Sequence, residues 1–242
     1  MNRRRLLRSS VTALGTVAGS SLVSGPAHAA NPSTAPNDTD PLRVHIVTFD
    51  GVEELDVFGP LEVFSVASQS HPVTVSLVTC GGPAEVTYRY GTRVAAGAWS
   101  PQDADLMVVP GGGFARRNEA GIWSEIDKGT LPTALRDAQR RGLTTLGVCT
   151  GVILLSAAGL TDGRTCTTHH RAKSYLAEQG ATVVDQRVVD DGDLVTAGGV
   201  SSGLDGALWL LERFIGSSAA TSVEAVLEFE RRGTVLRTRT AR

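Results

Sequence analysis

The chain has 242 residues, 41% of them hydrophobic and 20% charged, which is enough apolar material for one sizeable core and too little charge for a disordered polyelectrolyte. A formal charge of −2 argues against a nucleic-acid partner. No cysteines and histidines stand at zinc-ligand spacing, so the sequence calls for no metal.

The first 29 residues read as an export signal. Arg3-Arg4-Arg5-Leu6-Leu7-Arg8 is a basic start, Val11 to Val23 is an apolar stretch rich in Gly, Ser and Thr, and Ala27-His28-Ala29 is a cleavage signature. The stretch is too short and too polar to span a membrane, and the consecutive arginines resemble a twin-arginine address. Cleavage after Ala29 takes four of the 23 basic residues and no acids, leaving 19 against 25 acids and a formal charge of −6. The mature protein is therefore expected outside the cytoplasm, free of the membrane and of nucleic acid. Residues 30–41, rich in Pro, Asn, Thr and Asp, are expected to be a disordered lead-in. A single domain should cover 42–230, followed by a basic flexible tail over 231–242 that carries five arginines.

Strand-like and helix-like segments then alternate, the pattern of an α/β domain with a mainly parallel sheet. Val44 to Phe49 reads as the first strand, Pro60 to Ser68 as a helix with proline in its opening turn, and Val73 to Thr79 as the second strand. Tyr88 to Ala95, broken at Gly91, reads as a hairpin. Leu106 to Val109 is a short apolar strand of a sheet covered on both faces. A helix over Leu131 to Arg141 ends at Gly142, and the strand from Leu143 to Val148 breaks at Cys149 into a helix that Gly159 closes. Cys166 to Thr168 is a strand, and Ala172 to Gln179 a helix stopped by Gly180. Val183 to Val195 forms two strands turning at Asp191-Gly192. A helix capped by Ser201 or Ser202 runs to Ile215, and Ala219 to Phe229 is the last.

In such a sheet, ligands bind beyond the carboxyl ends of the strands, and four groups lie there. Cys149 sits in a tight strand-to-helix turn eased by Gly147 and Gly151, an elbow that would display its thiol to the amino end of a helix and favour the thiolate. Pro110-Gly111-Gly112-Gly113-Phe114 follows a strand directly. Its amides, with that of Thr150, could form an oxyanion hole. Glu53, Glu54 and Asp56 follow the first strand, and Asp56 is either the cap of its own helix or a proton donor beside the thiol. His169 either pairs with the cysteine or shapes the pocket through backbone hydrogen bonds. Three cysteines, Cys80, Cys149 and Cys166, allow at most one disulfide, and only Cys80 with Cys166 would spare the elbow thiol.

With these residues in place the chain resembles the ThiJ/PfpI superfamily of the class I glutamine amidotransferase-like fold. The markers are Glu53-Glu54-Leu55-Asp56-Val57-Phe58-Gly59-Pro60, Val109-Pro110-Gly111-Gly112, Gly147-Val148-Cys149-Thr150-Gly151 and Thr167-Thr168-His169. The resemblance implies a flavodoxin-like three-layer sandwich with a nucleophile elbow, a homodimer, a small-molecule substrate and no cofactor. Within the superfamily, Thr196 to Asp205 and Ala157-Ala158-Gly159-Leu160 look most like the isonitrile hydratase branch. That branch has aspartate where deglycase and glyoxalase members have glutamate, and Thr150 stands where protease-like members have histidine. The resemblance implies that Cys149 attacks an isonitrile, that Asp56 serves as acid and base, and that the amides of Gly112 and Thr150 steady developing charge. Thr150 hydroxyl would hold the water or the aspartate, with Gly111 and His169 around the substrate. One departure is His170, where the hydratases have tryptophan. The alternatives are a cysteine enzyme acting on α-oxoaldehydes and a non-catalytic redox-sensing or binding protein.

Overall fold

The computed structural model describes residues 40–238, so the expected export signal and nearly all of the lead-in lie outside the described residues. The chain order begins with strand β1 (Leu42–Val47), helix α1 (Glu54–Ser68) and strand β2 (Val73–Thr79). A hairpin of β3 (Ala84–Thr87) and β4 (Arg93–Ala98) leads to β5 (Leu106–Val109). Next come the short helices α2 (Ile122–Lys128) and α3 (Thr130–Asp137), strand β6 (Thr144–Val148) and helix α4 (Gly151–Ala157). Then follow β7 (Thr165–Cys166), α5 (Lys173–Glu178), β8 (Thr182–Val183), β9 (Val188–Asp190), β10 (Leu194–Ala197), α6 (Ser202–Phe214), α7 (Ser217–Leu227) and β11 (Leu236–Arg237).

The main sheet has the order β11-β9-β10-β6-β5-β1-β2-β4-β3, and β7 pairs with β8 separately. Strands β10, β6, β5, β1, β2 and β4 run parallel, β9 is antiparallel to β10 and parallel to β11, and β3 is antiparallel to β4. Every residue of β5, β6 and β10 is buried, because helices cover both faces at the centre of the sheet. One helical layer is built by α1, α6 and α7, and α2, α3 and α4 pack together in the other, giving the flavodoxin-like three-layer α/β architecture. No helix among the described residues is long and apolar enough to cross a membrane.

Four local readings are corrected. Helix α1 starts at Glu54 rather than Pro60, and Pro60 is buried inside it, packed close to Gly203 of α6. Proline in a second turn leaves one carbonyl without its helical donor, a cost the buried contact offsets. The hairpin's first strand lies before the expected segment and its second overlaps only the end of it, and Gly91 lies in the turn with φ of 95°. Helix α2 was not expected; it is a two-turn segment delimited by Gly121 and Gly129, both at positive φ. The expected flexible tail is tied down as far as residue 238. Leu236 and Arg237 pair with β9, the guanidinium of Arg231 reaches Glu212 at 2.5 Å and Glu224 at 2.8 Å, and the Arg232 N–H donates to Asp205 at 2.7 Å. Residues 239–242 lie outside the described residues.

Candidate active site

Cys149 has φ of 55°, in the left-handed region where a side chain is strained, and three hydrogen bonds hold it there. Its N–H is shared between the carbonyls of Ala197 (3.0 Å) and Gly198 (2.9 Å), and its carbonyl accepts the Thr168 hydroxyl at 2.7 Å. The elbow is therefore clamped by the end of β10 and by the segment after β7. The neighbouring Thr167 N–H donates to Thr196 Oγ1 at 3.0 Å, which ties that segment to β10 in turn. Close approach does the rest. A Cβ on Gly111 would collide with Thr150 Oγ1 and the amides of Thr150 and Gly151, and one on Gly151 would strike the Val109 carbonyl. Glycine at both positions lets the loop after β5 lie directly on the amino end of α4.

The thiol is less on display than the elbow motif suggests: Cys149 is 5% exposed. Its surroundings also reverse the expected acidity. Burial raises the thiol well above its ordinary range, the neighbouring Asp56 adds to this, and the N–H groups of Val200 and Thr150 that face the sulfur only partly offset it. Helix α4 has seven residues, and its terminal dipole does not overcome the loss of water.

Asp56 does not cap α1. The residue at the cap position is Glu53, and Asp56 lies in the first turn, fully buried, with its side chain turned toward the glycine loop. Its Oδ2 accepts the Gly111 N–H at 3.0 Å, Oδ1 has no hydrogen-bond partner, and the carboxyl lies beside the Cys149 thiol. Burial pushes the carboxyl up to about 7, the Gly111 hydrogen bond pulls it down, the Glu53 charge adds to the rise, and the neighbouring Cys149 thiol pulls it down slightly. Burial makes both groups reluctant to ionise, the thiol more than the carboxyl, so above about pH 7 the pair keeps one proton, carried by the sulfur beside a carboxylate.

The cleft in front of the sulfur has a volume of about 260 Å³, and Cys149, Thr150, Gly112 and His169 all line it. Gly111 and Asp56 lie behind it. The oxyanion arrangement expected from the glycine loop is not the one formed. The Gly112 N–H donates to Thr150 Oγ1 at 3.0 Å and the Gly111 N–H to Asp56, so both amides are engaged within the protein. The Thr150 hydroxyl thus braces the loop rather than the aspartate. The amide that joins Thr150 at the sulfur belongs to Val200, at φ of 33°, a residue the sequence reading passed over. Its only sequence signal is the Gly198-Gly199 pair before it. His169 contacts the cleft but not as an established partner of the thiol. Its Nδ1 accepts the Arg171 N–H at 3.3 Å, its ring packs against Gly199 and stacks on His170 at 4.2 Å, and burial, His170 and Arg171 lower its pKa. With Nδ1 an acceptor, the neutral ring carries its proton on Nε2. Glu53 also lines the cleft, whereas Glu54 turns away to accept the Tyr90 N–H at 2.8 Å.

The other two cysteines are free. Cys80 is half-buried just after β2, and Cys166 is enclosed in β7, where burial pushes it up to about 12. The Cys80–Cys166 disulfide that the sequence allowed is not formed. Among the described residues no group of three or more His, Cys, Asp or Glu side chains could hold a metal ion.

Comparison with known proteins places this geometry. Residues 42–213 match the DJ-1/PfpI family. An isonitrile hydratase of Pseudomonas putida is 32% identical over 193 residues, covering 78% of each chain, and a deglycase of Thermococcus kodakarensis is 26% identical, covering 64% of this chain and 89% of its own. Among solved structures, a ThiJ/PfpI family protein from Pseudomonas syringae superposes with a TM-score of 0.71 at 23% identity, covering 85% of this chain and 84% of its own. The elbow cysteine, the glycine loop and the buried aspartate therefore stand in a chain that belongs to the DJ-1/PfpI family.

Proposed function

We propose that the protein is a cysteine-dependent hydratase that converts an isonitrile to an N-substituted formamide, with Cys149 as nucleophile and Asp56 as general acid and base. The observation that carries this reading is the thiol–carboxyl pair behind the elbow. The terminal carbon of an isonitrile must receive both a sulfur and a proton, and a pair that keeps one proton supplies both from one place. Asp56 takes the thiol proton, the S–C bond forms, and the same proton passes to the carbon, giving a thioformimidate. Water then adds to that carbon as Asp56 accepts one of its protons and the nitrogen gains another. Collapse of the adduct breaks the C–S bond, releases the formamide and returns the proton to the sulfur. Water is the only co-reactant, and the reaction as written requires no cofactor.

The N–H groups of Val200 and Thr150 that face the sulfur are placed to steady the charge that builds on oxygen when water adds to the thioformimidate, and they support this reading. The relationship to the hydratase, and aspartate at position 56, agree with it. The test is incubation with cyclohexyl isocyanide, with methylglyoxal as comparator. The formamide should form and should vanish in Cys149→Ala. Lactate from methylglyoxal without any formamide would assign the protein to the α-oxoaldehyde enzymes instead.

A further inference from the structure

The cleft carries more positive charge than the proposed chemistry requires. Three guanidinium-bearing residues, Arg89, Arg116 and Arg171, line it with a single acid, Glu53. Their surroundings leave that charge available. Arg116 and Arg89 share one carboxylate, Glu119 just outside the cleft, at 3.0 and 3.4 Å, and Glu119 is itself 53% exposed, so these pairs are weak and screened. Arg89 is held deeper, with a side chain 15% exposed and its backbone N–H fixed to the Val52 carbonyl at 2.8 Å. Arg171 has no carboxylate within ion-pair distance among the described residues, and its backbone N–H is anchored on His169. Phe114 and Tyr90 supply apolar wall between these charges. An apolar isonitrile would use the wall and leave the guanidinium groups idle.

We propose that the cleft selects a small electrophile bearing a carboxylate, seated with the anion on Arg171, Arg116 and Arg89 and the reacting carbon at Cys149. Combined with the hydratase reading, on which the identity of the reacting group rests, this makes the substrate class an isocyano carboxylate. Guanidinium forks match a carboxylate in shape as well as charge, and a basic funnel raises the local concentration of an anion.

The charge selection can be tested without assuming the reaction. Iodoacetate and iodoacetamide alkylate a thiol by the same displacement of iodide and differ chiefly in charge. The readout is the ratio of their rates at Cys149 in the full chain, followed by mass spectrometry of the peptide containing it so that Cys80 and Cys166 do not contribute. The ratio should exceed that of glutathione by roughly tenfold. It should fall toward the glutathione value in Arg116→Gln/Arg171→Gln and in high salt. A ratio no higher than that of glutathione, a ratio unchanged in the double variant, or failure of iodoacetate to reach Cys149 overturns the proposal. In parallel, kcat/KM for isocyanoacetate should exceed that for cyclohexyl isocyanide, and the reverse order overturns the substrate class. Turnover of neither isonitrile, with the iodoacetate preference intact, would overturn the hydratase and leave the anion-selective cleft standing.

Discussion

Asp56→Asn isolates the proton on which the proposed mechanism depends. The change is isosteric, and the amide oxygen can still accept the Gly111 N–H that now binds Oδ2 at 3.0 Å. What it removes is an ionisation. In the fold the carboxyl is pushed from 3.8 to about 7, which at 1.36 kcal/mol per tenfold makes the charged form about 4 kcal/mol harder to house than in the unfolded chain. The folded pKa is raised, so this contribution to stability is fully present below about pH 3.8 and is lost as pH rises through about 7. About 2.5 kcal/mol of the loss falls between pH 5 and pH 8. For a domain of this size that is roughly 5–10 °C in Tm. Thermal unfolding of both proteins at pH 5, 6, 7 and 8 should therefore show the variant gaining on the wild type by that amount as pH rises. Its formamide production at pH 8 should meanwhile fall by roughly 10²–10⁴-fold. A Tm difference that does not change with pH would show that Asp56 ionises as freely in the fold as out of it. A variant retaining a tenth of the turnover would remove it from the chemistry.

Other expectations follow from the same geometry. Because the reactive pair holds one proton, kcat/KM of the wild type should rise to a plateau as pH passes through about 7, and a profile flat from pH 5 to 8 would contradict that single proton. Thr168→Val leaves the buried Cys149 carbonyl without its donor and should cost about 1–3 kcal/mol in urea unfolding, with kcat reduced more than KM and both restored by Thr168→Ser. Gly111→Ala forces a methyl against the Thr150 and Gly151 amides and should destabilise by about 1–3 kcal/mol; an unchanged urea midpoint would mean that the loop moves freely.

The central strands were legible because full burial leaves an apolar run: β5 coincides with the expected strand and β6 begins one residue inside it. The elbow was legible because a cysteine between Gly147 and Gly151 permits few backbone paths. Helix α2 was not, since its two turns carry mixed polar residues and are bounded by glycines that read equally well as loop. The direction of the Gly112 amide was hidden for a different reason. A glycine run announces that backbone can approach something but not which way each N–H points, and here Thr150 takes one and Asp56 another. The state of the thiol was likewise beyond local sequence. It is set by burial and by Asp56, a residue 93 positions away that α1 brings to the elbow. The anchored residues 231–238 show the same limit, because their partners Glu212, Glu224 and Asp205 come from α6 and α7.

The interlocked glycine loop separates two tasks that many active sites mix. In the proposed mechanism the bond-making groups are set in the interior, each fixed by a neighbour, and contact with the rest of the substrate falls to the segments around residues 89–90, 114–116 and 169–171. Substitutions of Arg116 and Arg171, exposed residues of those segments, touch neither the elbow clamp nor the buried carboxyl, and exposed changes of that kind usually alter stability by under about 0.5 kcal/mol. The same interior can thus be fitted to new substrates by exchanging those exposed residues alone.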